Sequence, residues 1–396
     1  MTLYKTIVED IKAARLNFRI NDLDEGMEFK SKKTGWELLT DTHIAIINLK
    51  MRQMGYSARE SGKPSLTTFW EGVTAYAHKN RYNPITDYLT EVEKTYTPGN
   101  RSKDGIPQPY AIRAFAEDYF INPDGMFPKW LFRWMVGAAH RARTGSRNPM
   151  LTLAGDQHIG KSTWAEWLCP VVGRFNRGGI QPDNKDHRIR MANLFIWEID
   201  ELAGTTTRRN ADSLKSFISQ SEVFERLPFK KKPVRKIARC SLIGTANFDG
   251  TGFLADPTGS TRFLVTKLTW IDFSYTKKVA VDSLWAEAAY FASRFPGAMK
   301  LTPNEDERRR EINSQYEVKS ALGEVIDNLF EVTLAESDFM TTQEIQLKIG
   351  SDYRITNNQF FYNELARVMK KRGVKRHRQT PQEGYKRGWL GIRYTG

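Results

Sequence analysis

The 396-residue chain has few cysteines and no long hydrophobic stretch. Its two cysteines, Cys169 and Cys240, are too few for a four-cysteine zinc site, and their apolar surroundings favour buried thiols over a disulfide. No apolar run is long enough to cross a bilayer, and the N-terminus lacks the hydrophobic core of a signal peptide. We therefore expect a soluble intracellular protein of two or three domains, without a membrane partner.

Acidic residues are also scarce relative to basic ones. The chain has 60 Lys and Arg against 46 Asp and Glu, which gives a formal net charge of +14 and a pI of about 9.6. A surplus of this size is typical of proteins that bind a polyanion, most often a nucleic acid. The alternative is a basic surface without such a partner. The positions of the basic residues along the chain distinguish these two interpretations.

A glycine-containing loop follows the apolar segment Met150–Ala154, which we interpret as a buried strand. The loop has the form G-x-x-x-x-G-K-[ST] and leads into an apolar helix start, an order typical of loops that hold nucleotide phosphates. This context disfavours a chance match in a glycine turn. We expect ATP and Mg²⁺ as ligands, with Lys161 at the β- and γ-phosphates and Ser162 at the metal. The predicted nucleotide-binding residues are Gly155, Asp156, Gln157, His158, Ile159, Gly160, Lys161, Ser162 and Thr163.

A second apolar segment, residues 191–199, is also a strand candidate and ends in the acids Glu198, Asp200 and Glu201. Enzymes that bind nucleotides through such a loop use acids at a strand end to hold Mg²⁺ and to activate the attacking water. Our first assignment gives the metal to Asp200 and the general base to Glu201. Glu198 competes for the metal because strand alternation places it on the same side as Asp200. The alternative is a solvated acidic turn.

Two further polar residues follow strands later in the chain. Asn247 ends the apolar segment 240–247 and is predicted to orient water against the γ-phosphate, although Asn at a strand end is also a common turn former. Arg262 begins the strand candidate 262–268 and is predicted to stabilise charge on the transferring phosphoryl group in the site of a neighbouring subunit. The alternative for Arg262 is a structural or DNA-facing role.

Basic residues cluster in two places. The first cluster surrounds Pro233, where we expect a hairpin tip that contacts phosphate backbone. The second is the C-terminus, with ten Lys or Arg between residues 367 and 393 against one acid, Glu383. His377, Tyr385 and Trp389 lie among these cations and are candidates for base stacking, although Trp389 fits a core position equally well. A solvated charge run is the ordinary alternative. The predicted DNA-binding residues are Lys230, Lys231, Lys232, Arg235 and Lys236.

The alternation of strand and helix patterns across residues 111–300 predicts an α/β core, with a mostly parallel sheet flanked by helices. Aromatic and apolar residues at 127–136 predict buried core helices rather than a ligand site. Residues 1–110 are predicted to form a largely helical N-terminal domain, with helices at 42–51, 66–79 and 85–95.

The remaining residues, 301–396, are predicted to form a small basic C-terminal module. Helical patterns at 341–349 and 358–371 precede a strand pattern at 385–394. Helices followed by a short basic hairpin suggest a winged-helix-like arrangement.

These motifs together resemble the virulence-associated protein E family of phages and mobile genetic islands. The resemblance spans most of the chain, and only the phosphate loop is specific when taken singly. The residues that carry it are 17–21 (NFRIN), 82–89 (YNPITDYL), 155–162 (GDQHIGKS), 198–201 (EIDE), 214–218 (LKSFI), 243–247 (IGTAN), 256–263 (DPTGSTRF) and 284–287 (LWAE).

The resemblance implies a superfamily 3 helicase core, a branch of the AAA+ P-loop ATPases, assembled as a homohexameric ring with ATP at the subunit interfaces. Arg262 would act in trans, and residues 230–236 would grip single-stranded DNA in the central channel. The family usually keeps acids at the positions of Glu198 and Glu201, whereas Asp200 is less typical. Relatives often carry a primase domain upstream; none precedes this core, so we expect a separate primase or polymerase as partner.

The resulting hypothesis is an ATP-dependent DNA helicase that translocates on single-stranded DNA during phage or mobile-element replication, in the cytoplasm of a bacterial host. An alternative is an ATP-dependent replication initiator that melts an origin without processive unwinding. A small-molecule kinase is disfavoured because Glu198, Asn247 and Arg262 occur in order after the loop.

Overall fold

The structure is a computed structural model that describes residues 3–31, 35–57, 64–100, 105–200, 202, 208–226, 232–247, 252–254, 261–318, 320–335, 337–350, 358–379 and 386–396. The chain divides into two compact units. Unit 1 comprises Met1–Asp249 and Phe253–Gln315, and unit 2 comprises Gly250–Gly252 and Tyr316–Gly396. The predicted domain boundaries near residues 110 and 300 stay predictions.

The first hundred residues of unit 1 form helices around a small sheet. Its strands are in the order β3-β2-β1-β4, with β1 parallel to β4 and the other pairs antiparallel. The helices lie where the apolar spacing predicts them, but the prediction of a largely helical region missed this sheet. Its strands have two to five residues, too short for a clear alternation signal. The elements are α1 (Leu3–Ala13), β1 (Asn17–Asn21), β2 (Met27–Lys30), β3 (Trp36–Leu38), α2 (Asp41–Gln53), α3 (Leu66–Lys79), β4 (Arg81–Tyr82) and α4 (Pro84–Thr95).

The rest of unit 1 is built on a five-stranded parallel sheet in the order β12-β6-β11-β8-β7. This confirms the predicted α/β core with a parallel sheet flanked by helices. The elements are α5 (Ala111–Tyr119), β5 (Phe120–Ile121), α6 (Phe127–Thr144), β6 (Met150–Ala154), α7 (Lys161–Trp167), β7 (Phe175–Arg177), α8 (Lys185–Asn193), β8 (Ile196–Ile199), α9 (Arg208–Ser219), β9 (Glu222–Glu225), β10 (Val234–Ile237), β11 (Ser241–Ala246), β12 (Phe263–Lys267), β13 (Trp270–Ile271), α10 (Tyr275–Lys278), α11 (Val281–Arg294), a 3₁₀ turn (Pro296–Met299) and α12 (Pro303–Ser314).

The core of this sheet is apolar on both faces, as expected for a parallel sheet covered by helices. All residues of β6, β8 and β11 are buried. Helix α6 packs its aromatic residues here, and the indole N–H groups of Trp130 and Trp134 donate to the carbonyls of Val265 and Leu242 at 3.1 Å each. These contacts hold the helix against β12 and β11 and confirm that the aromatic segment is core.

One predicted strand is partly wrong. Residues 191–193 end helix α8, and the strand β8 starts only at Ile196. Helix α8 begins after its cap residue Asn184, whose side chain accepts from the backbone N–H of Asp186 at 2.8 Å, and it runs to Asn193. Cys240 is buried as expected and Cys169 is half-buried; burial raises the pKa of Cys169 to about 12.

Unit 2 has its own apolar core and two small sheets, β15-β17-β16 and β14-β18. The predicted helices at 341–349 and 358–371 are confirmed. The winged-helix-like arrangement stays a prediction. None of the helices in the described ranges of either unit combines the length and hydrophobicity that a bilayer span requires. The elements of unit 2 are α13 (Ala321–Leu329), β14 (Phe330–Val332), β15 (Phe339–Thr341), α14 (Thr342–Ile349), α15 (Asn358–Lys371), β16 (Lys375–Gln379), β17 (Lys386–Leu390) and β18 (Ile392–Tyr394).

Candidate functional site

The glycine loop, residues 155–160, joins the carboxyl end of the central strand β6 to helix α7. Gly160 has a φ of +95°, and a Cβ atom there would lie 2.0 Å from the Phe273 ring. Only glycine fits this backbone conformation and this close approach. The loop is also tied to the neighbouring strand, because the Gly155 N–H donates to the carbonyl of Ala246 at 3.2 Å. The sequence therefore fixes a compact turn at the carboxyl edge of the sheet.

Lys161, the first residue of α7, turns its side chain back into this loop. Its Nζ donates to the carbonyls of Gly155 at 2.8 Å and Asp156 at 2.6 Å, and the residue is only 7% exposed. Burial lowers the pKa of the Lys161 ammonium, while the carboxylates of Asp156 and Glu198 oppose that shift. A buried cation held by neutral carbonyls attracts an anion, as the predicted phosphate contact requires.

Glu198 lies on β8 with its carboxylate fully buried. One oxygen, Oε2, accepts from the Arg177 Nε at 2.8 Å. The other, Oε1, has no hydrogen-bond partner among the described residues. A buried carboxylate oxygen without a donor is costly unless a further partner, such as a cation, reaches it.

Arg177, on the adjacent strand β7, links this carboxylate to the helix after the glycine loop. Its Nη2 donates to the Ser162 carbonyl at 2.8 Å and to the Glu166 carboxylate at 3.2 Å. The hydrogen bond to Glu198 is the main cause that raises the pKa of Arg177. The sequence analysis missed Arg177, since it lies in no motif and only the pairing of β7 with β8 brings it to Glu198.

The predicted metal ligands are only partly described. Asp200 is half-buried just beyond the end of β8, Ser162 is half-buried in the first turn of α7, and Glu201 lies outside the described residues. Within the described ranges, no group of three or more His, Cys, Asp or Glu residues forms a ready metal site. The assignment of the metal ligand and the general base among Glu198, Asp200 and Glu201 therefore stays a prediction.

Asn247 lies at the same edge of the sheet as the glycine loop. It follows β11, whose last residue, Ala246, pairs with Ala154, the last residue of β6. The parallel register thus brings Asn247 to the edge that carries the loop, whereas Glu198 pairs with Ile243, three positions before the end of β11. The remaining loop residues Asp156, Gln157, His158 and Thr163 are exposed, and Ile159 is half-buried.

Arg262 lies at the opposite edge. It precedes β12, in which Phe263 pairs with Met150 and Lys267 with Ala154, so β12 and β6 start at the same edge. Its backbone carbonyl accepts from the Met150 N–H at 2.8 Å, and its Nε donates to the Ser219 hydroxyl at 2.8 Å. A strand of five residues separates Arg262 from the glycine loop by roughly 17 Å. Arg262 and the loop of the same chain are therefore not brought together.

A cleft of about 610 Å³ opens beside Arg262 at this amino edge. Arg147, Lys215 and Arg188 also line it, together with the acids Asp183 and Glu222. Two of these charges are engaged: Arg188 pairs with Glu225, and Glu222 pairs with Arg235. Arg147 is exposed and was missed by the sequence analysis, because a lone Arg before a strand carries no motif.

The predicted DNA segment forms a hairpin in which β9 and β10 pair antiparallel. Lys230 and Lys231 lie outside the described residues, and Lys232 is exposed. Arg235 is also exposed and pairs with Glu222 at 2.9 Å. Lys236 is largely buried instead, with its Nζ donating to the carbonyls of Asp22 at 2.9 Å and Leu23 at 2.6 Å. Burial lowers the pKa of Lys236, whose ammonium ties the hairpin to the turn after β1.

Comparisons with known proteins match a family over the core of the chain. The model of the virulence-associated protein E-like domain matches residues 107–318. A search among curated proteins gave no match.

Among solved structures, the chain is similar to the A form apo structure of the NrS-1 C terminal region, with 12% identity, a TM-score of 0.48 and 99% of each chain covered. A second apo structure of that region has 11% identity and a TM-score of 0.46, with 99% of this chain and 98% of that chain covered. At these values the likeness bears neither on function nor on individual residues.

Proposed function

Since the chain belongs to the virulence-associated protein E-like family, we propose that it is an ATP-dependent DNA helicase. It would translocate on single-stranded DNA during replication of a phage or another mobile genetic element, in the bacterial cytoplasm. The observation that carries this proposal is the buried ammonium of Lys161 inside the glycine loop, at the sheet edge that also holds Asn247. Glu198 is linked to the helix after this loop through Arg177. A lysine, an acid and an amide around a phosphate-sized turn are the groups that phosphoryl transfer to water requires.

The residues at this edge fit ATP and Mg²⁺. The loop residues 155–163 would surround the phosphates, and Lys161 would exchange its loop carbonyls for phosphate oxygens. Ser162 with Glu198 or Asp200 would hold the metal, and the partnerless Oε1 of Glu198 suits that role. When bound, Mg²⁺ supplies positive charge that offsets the negative charge of the phosphate oxygens.

The attacking water would be handled by protein groups at the same edge. Glu201 remains the first candidate for the base and Glu198 for the metal, with Asp200 as the alternative metal ligand. Asn247 would donate or accept a hydrogen bond that orients the water. Arg177 would hold Glu198 in place through its contact to Oε2, which makes Arg177 a positioning residue in this scheme.

Hydrolysis in this proposal requires a second copy of the chain. Arg262 and the glycine loop lie at opposite edges of one sheet. For both groups to act on one nucleotide, the amino edge of one subunit must face the glycine loop of a neighbouring subunit. The cleft beside Arg262 also presents Arg147, which adds positive charge for a neighbour's phosphates. This geometry supports a closed homo-oligomer, the hexameric ring of AAA+ superfamily 3 helicases, with Arg262 acting in trans.

Single-stranded DNA would be contacted by the hairpin of β9 and β10, through Lys230, Lys231, Lys232 and Arg235. The exposed positions of Lys232 and Arg235 support this, whereas the buried ammonium of Lys236 supports a structural role for that residue. A separate primase or polymerase would supply priming. Unit 2 would be the predicted winged-helix-like module.

The test is ATP hydrolysis with and without single-stranded DNA, together with strand separation of a forked duplex. It should compare wild type, Lys161→Ala and the Lys230→Ala/Lys231→Ala/Lys232→Ala variant. We expect DNA-stimulated hydrolysis and unwinding in wild type, loss of both in Lys161→Ala, and loss of stimulation in the triple variant.

ATP hydrolysis without strand separation on any fork would contradict the helicase proposal. It would favour an initiator that melts an origin without processive unwinding.

A further inference from the structure

The side chain of Arg262 makes one polar contact, which leaves most of its guanidinium group available. Its Nε donates to the hydroxyl of Ser219 at 2.8 Å, and the side chain has no other hydrogen bond and no ion pair with any described residue. A guanidinium group carries five N–H donors in one plane, so the four N–H groups on Nη1 and Nη2 stay open. Arg262 is half-buried and lines both the cleft of about 610 Å³ and a second cavity of about 190 Å³, which gives a ligand access to these donors.

Ser219 is the last residue of α9, and the backbone on both sides of it is held by Arg141 of helix α6. The Nη2 of Arg141 donates to the Gln220 carbonyl at 2.6 Å, and its Nη1 donates to the Ile218 carbonyl at 3.4 Å. Arg141 is only 1% exposed. The last carbonyls of a helix lack partners within the helix, and an arginine side chain can satisfy them. The Ser219 hydroxyl is therefore attached to a fixed helix end.

A fixed hydroxyl restricts the orientation of the arginine that bonds to it. A long arginine side chain has many rotamers, and ordering it costs conformational entropy. Since the guanidinium group is planar, a bond that fixes Nε also sets the directions of Nη1 and Nη2.

The acceptor at Arg262 is neutral, and this separates it from the arginine at the other edge. The Nε of Arg177 donates to the Glu198 carboxylate, which neutralises its charge. The Ser219 hydroxyl orients Arg262 without adding a negative charge. The full positive charge of Arg262 is thus kept for an anion that comes from outside the chain.

We propose that Ser219 is a positioning residue, which holds the guanidinium group of Arg262 in the orientation that reaches the nucleotide of a neighbouring subunit. This inference rests on the proposed function, in which Arg262 acts in trans. In this scheme Ser219 touches neither the nucleotide nor the metal, and its contribution passes through Arg262 alone. The two residues are 43 positions apart in the sequence, so no local motif links them.

The test measures steady-state ATP hydrolysis by the full chain in wild type, Ser219→Ala, Ser219→Thr and the matched control Ser216→Ala. We expect Ser219→Ala to lower kcat about tenfold with KM unchanged, because a misplaced arginine weakens the transition state and not substrate binding. Ser219→Thr keeps the hydroxyl, and the cavities beside Ser219 leave room for the added methyl group, so its kcat should stay near wild type.

The control Ser216→Ala makes the same substitution three residues earlier on α9. Ser216 is exposed, and its side chain has no hydrogen bond with any described residue. Its kcat should equal that of wild type. An equal loss in Ser216→Ala and Ser219→Ala would overturn the proposal, because any change on this helix would then have the same effect.

A mixing experiment separates positioning across an interface from a structural role within one subunit. In a mixture with Lys161→Ala, the intact Ser219 and Arg262 of the Lys161→Ala subunits face the intact glycine loops of the Ser219→Ala subunits. Hydrolysis by Ser219→Ala should therefore rise severalfold when the inactive Lys161→Ala chain is added, whereas the same addition to wild type should not raise it. A defect in the fold of the Ser219→Ala subunit would not be restored by a neighbour.

A double variant tests whether Ser219 acts only through Arg262. Ser219→Ala/Arg262→Ala should hydrolyse ATP no more slowly than Arg262→Ala, because without the guanidinium group nothing is left to position. A further loss in the double variant would overturn the proposal. So would a Ser219→Thr variant as slow as Ser219→Ala.

The outcomes distinguish this inference from the proposed function. Wild-type hydrolysis in Ser219→Ala, together with a large loss in Arg262→Ala, would overturn the positioning role and leave the helicase proposal intact. Wild-type hydrolysis in Arg262→Ala would contradict the trans-acting arginine of the proposed function, and the role of Ser219 with it.

Discussion

The two edges of the five-stranded sheet differ in how their positive charges are satisfied. At the carboxyl edge, Lys161 bonds to two loop carbonyls, and Arg177 bonds to Glu198, Glu166 and the Ser162 carbonyl. At the amino edge, Arg262 has one side-chain bond, to Ser219, and Arg147 has no hydrogen bond or ion pair with any described residue. The cations of the carboxyl edge are thus satisfied within the chain, whereas at the amino edge Arg147 has no such contact with the described residues.

The largest effect is expected when Arg262 is removed from the amino edge. Arg262→Ala should lower ATP hydrolysis by about 10³-fold, because a trans-acting arginine contributes at least that much in related phosphoryl transfers. Mixing Arg262→Ala with Lys161→Ala should restore measurable hydrolysis, since one subunit then supplies the loop and the other the arginine. Steady-state hydrolysis of each variant and of the mixture measures this. A mixture as inactive as its components would mean that Arg262 does not act across an interface.

Removing Lys161 from the carboxyl edge should lower ATP hydrolysis by a comparable or slightly smaller factor. Lys161→Ala removes the buried ammonium and should lower hydrolysis by about 10²- to 10³-fold, as the loss of one charge-stabilising donor does elsewhere. Unlike Arg262→Ala, it should also weaken nucleotide binding, measured with a fluorescent ATP analogue. The control is Lys300→Ala, which removes an exposed lysine of unit 1 and should leave both readouts unchanged.

A smaller effect is expected when the carboxylate pair at the same edge is altered. Glu198→Gln keeps the side-chain volume and an oxygen for Arg177, so the fold should be retained while hydrolysis falls by about 10²-fold. Asp200→Asn is the matched comparison at the strand end. If Asp200→Asn abolished hydrolysis and Glu198→Gln did not, the metal or base role would pass to Asp200, and Glu198 would serve only to hold Arg177.

The smallest effect on hydrolysis is expected when Arg147, the second cation at the amino edge, is removed. Arg147→Ala should lower hydrolysis about fivefold, since a charge at an exposed position contributes on the order of 1 kcal/mol. Arg147→Lys should recover most of this loss because it restores the charge. An ATPase rate unchanged in Arg147→Ala would restrict the trans contribution of this edge to Arg262.

Local sequence patterns predicted much of the fold. Strand β6, helix α3 and helix α15 have the predicted bounds, because each has a clear apolar period. The four-stranded sheet of the first hundred residues was missed, since its strands are short and one of its pairs is not local in sequence: β1 pairs with β4 across two helices. Hydrogen bonds between distant strands leave little trace in a short window.

Buried polar residues were harder to interpret from sequence. The segment 284–287 contributed to the family resemblance but suggested no role for Glu287. In the structure this carboxylate is fully buried and accepts from the backbone N–H groups of Tyr110, Ala111 and Ile112 at the start of α5. Glu287 therefore ties α11 to α5, a structural role that required both helices to be placed.

The sequence by itself determined the glycine loop, the order of strands that carry Glu198 and Asn247, and the surplus of positive charge. These follow from residue type, spacing and composition, which are local or additive properties. Only the tertiary structure decided that Arg177 reaches Glu198, that the Lys236 ammonium bonds to the carbonyls of Asp22 and Leu23, and that Arg262 and the glycine loop lie at opposite edges. Those relations depend on which strands pair and in which direction, because hydrogen bonding between strands far apart in sequence sets the positions of their ends.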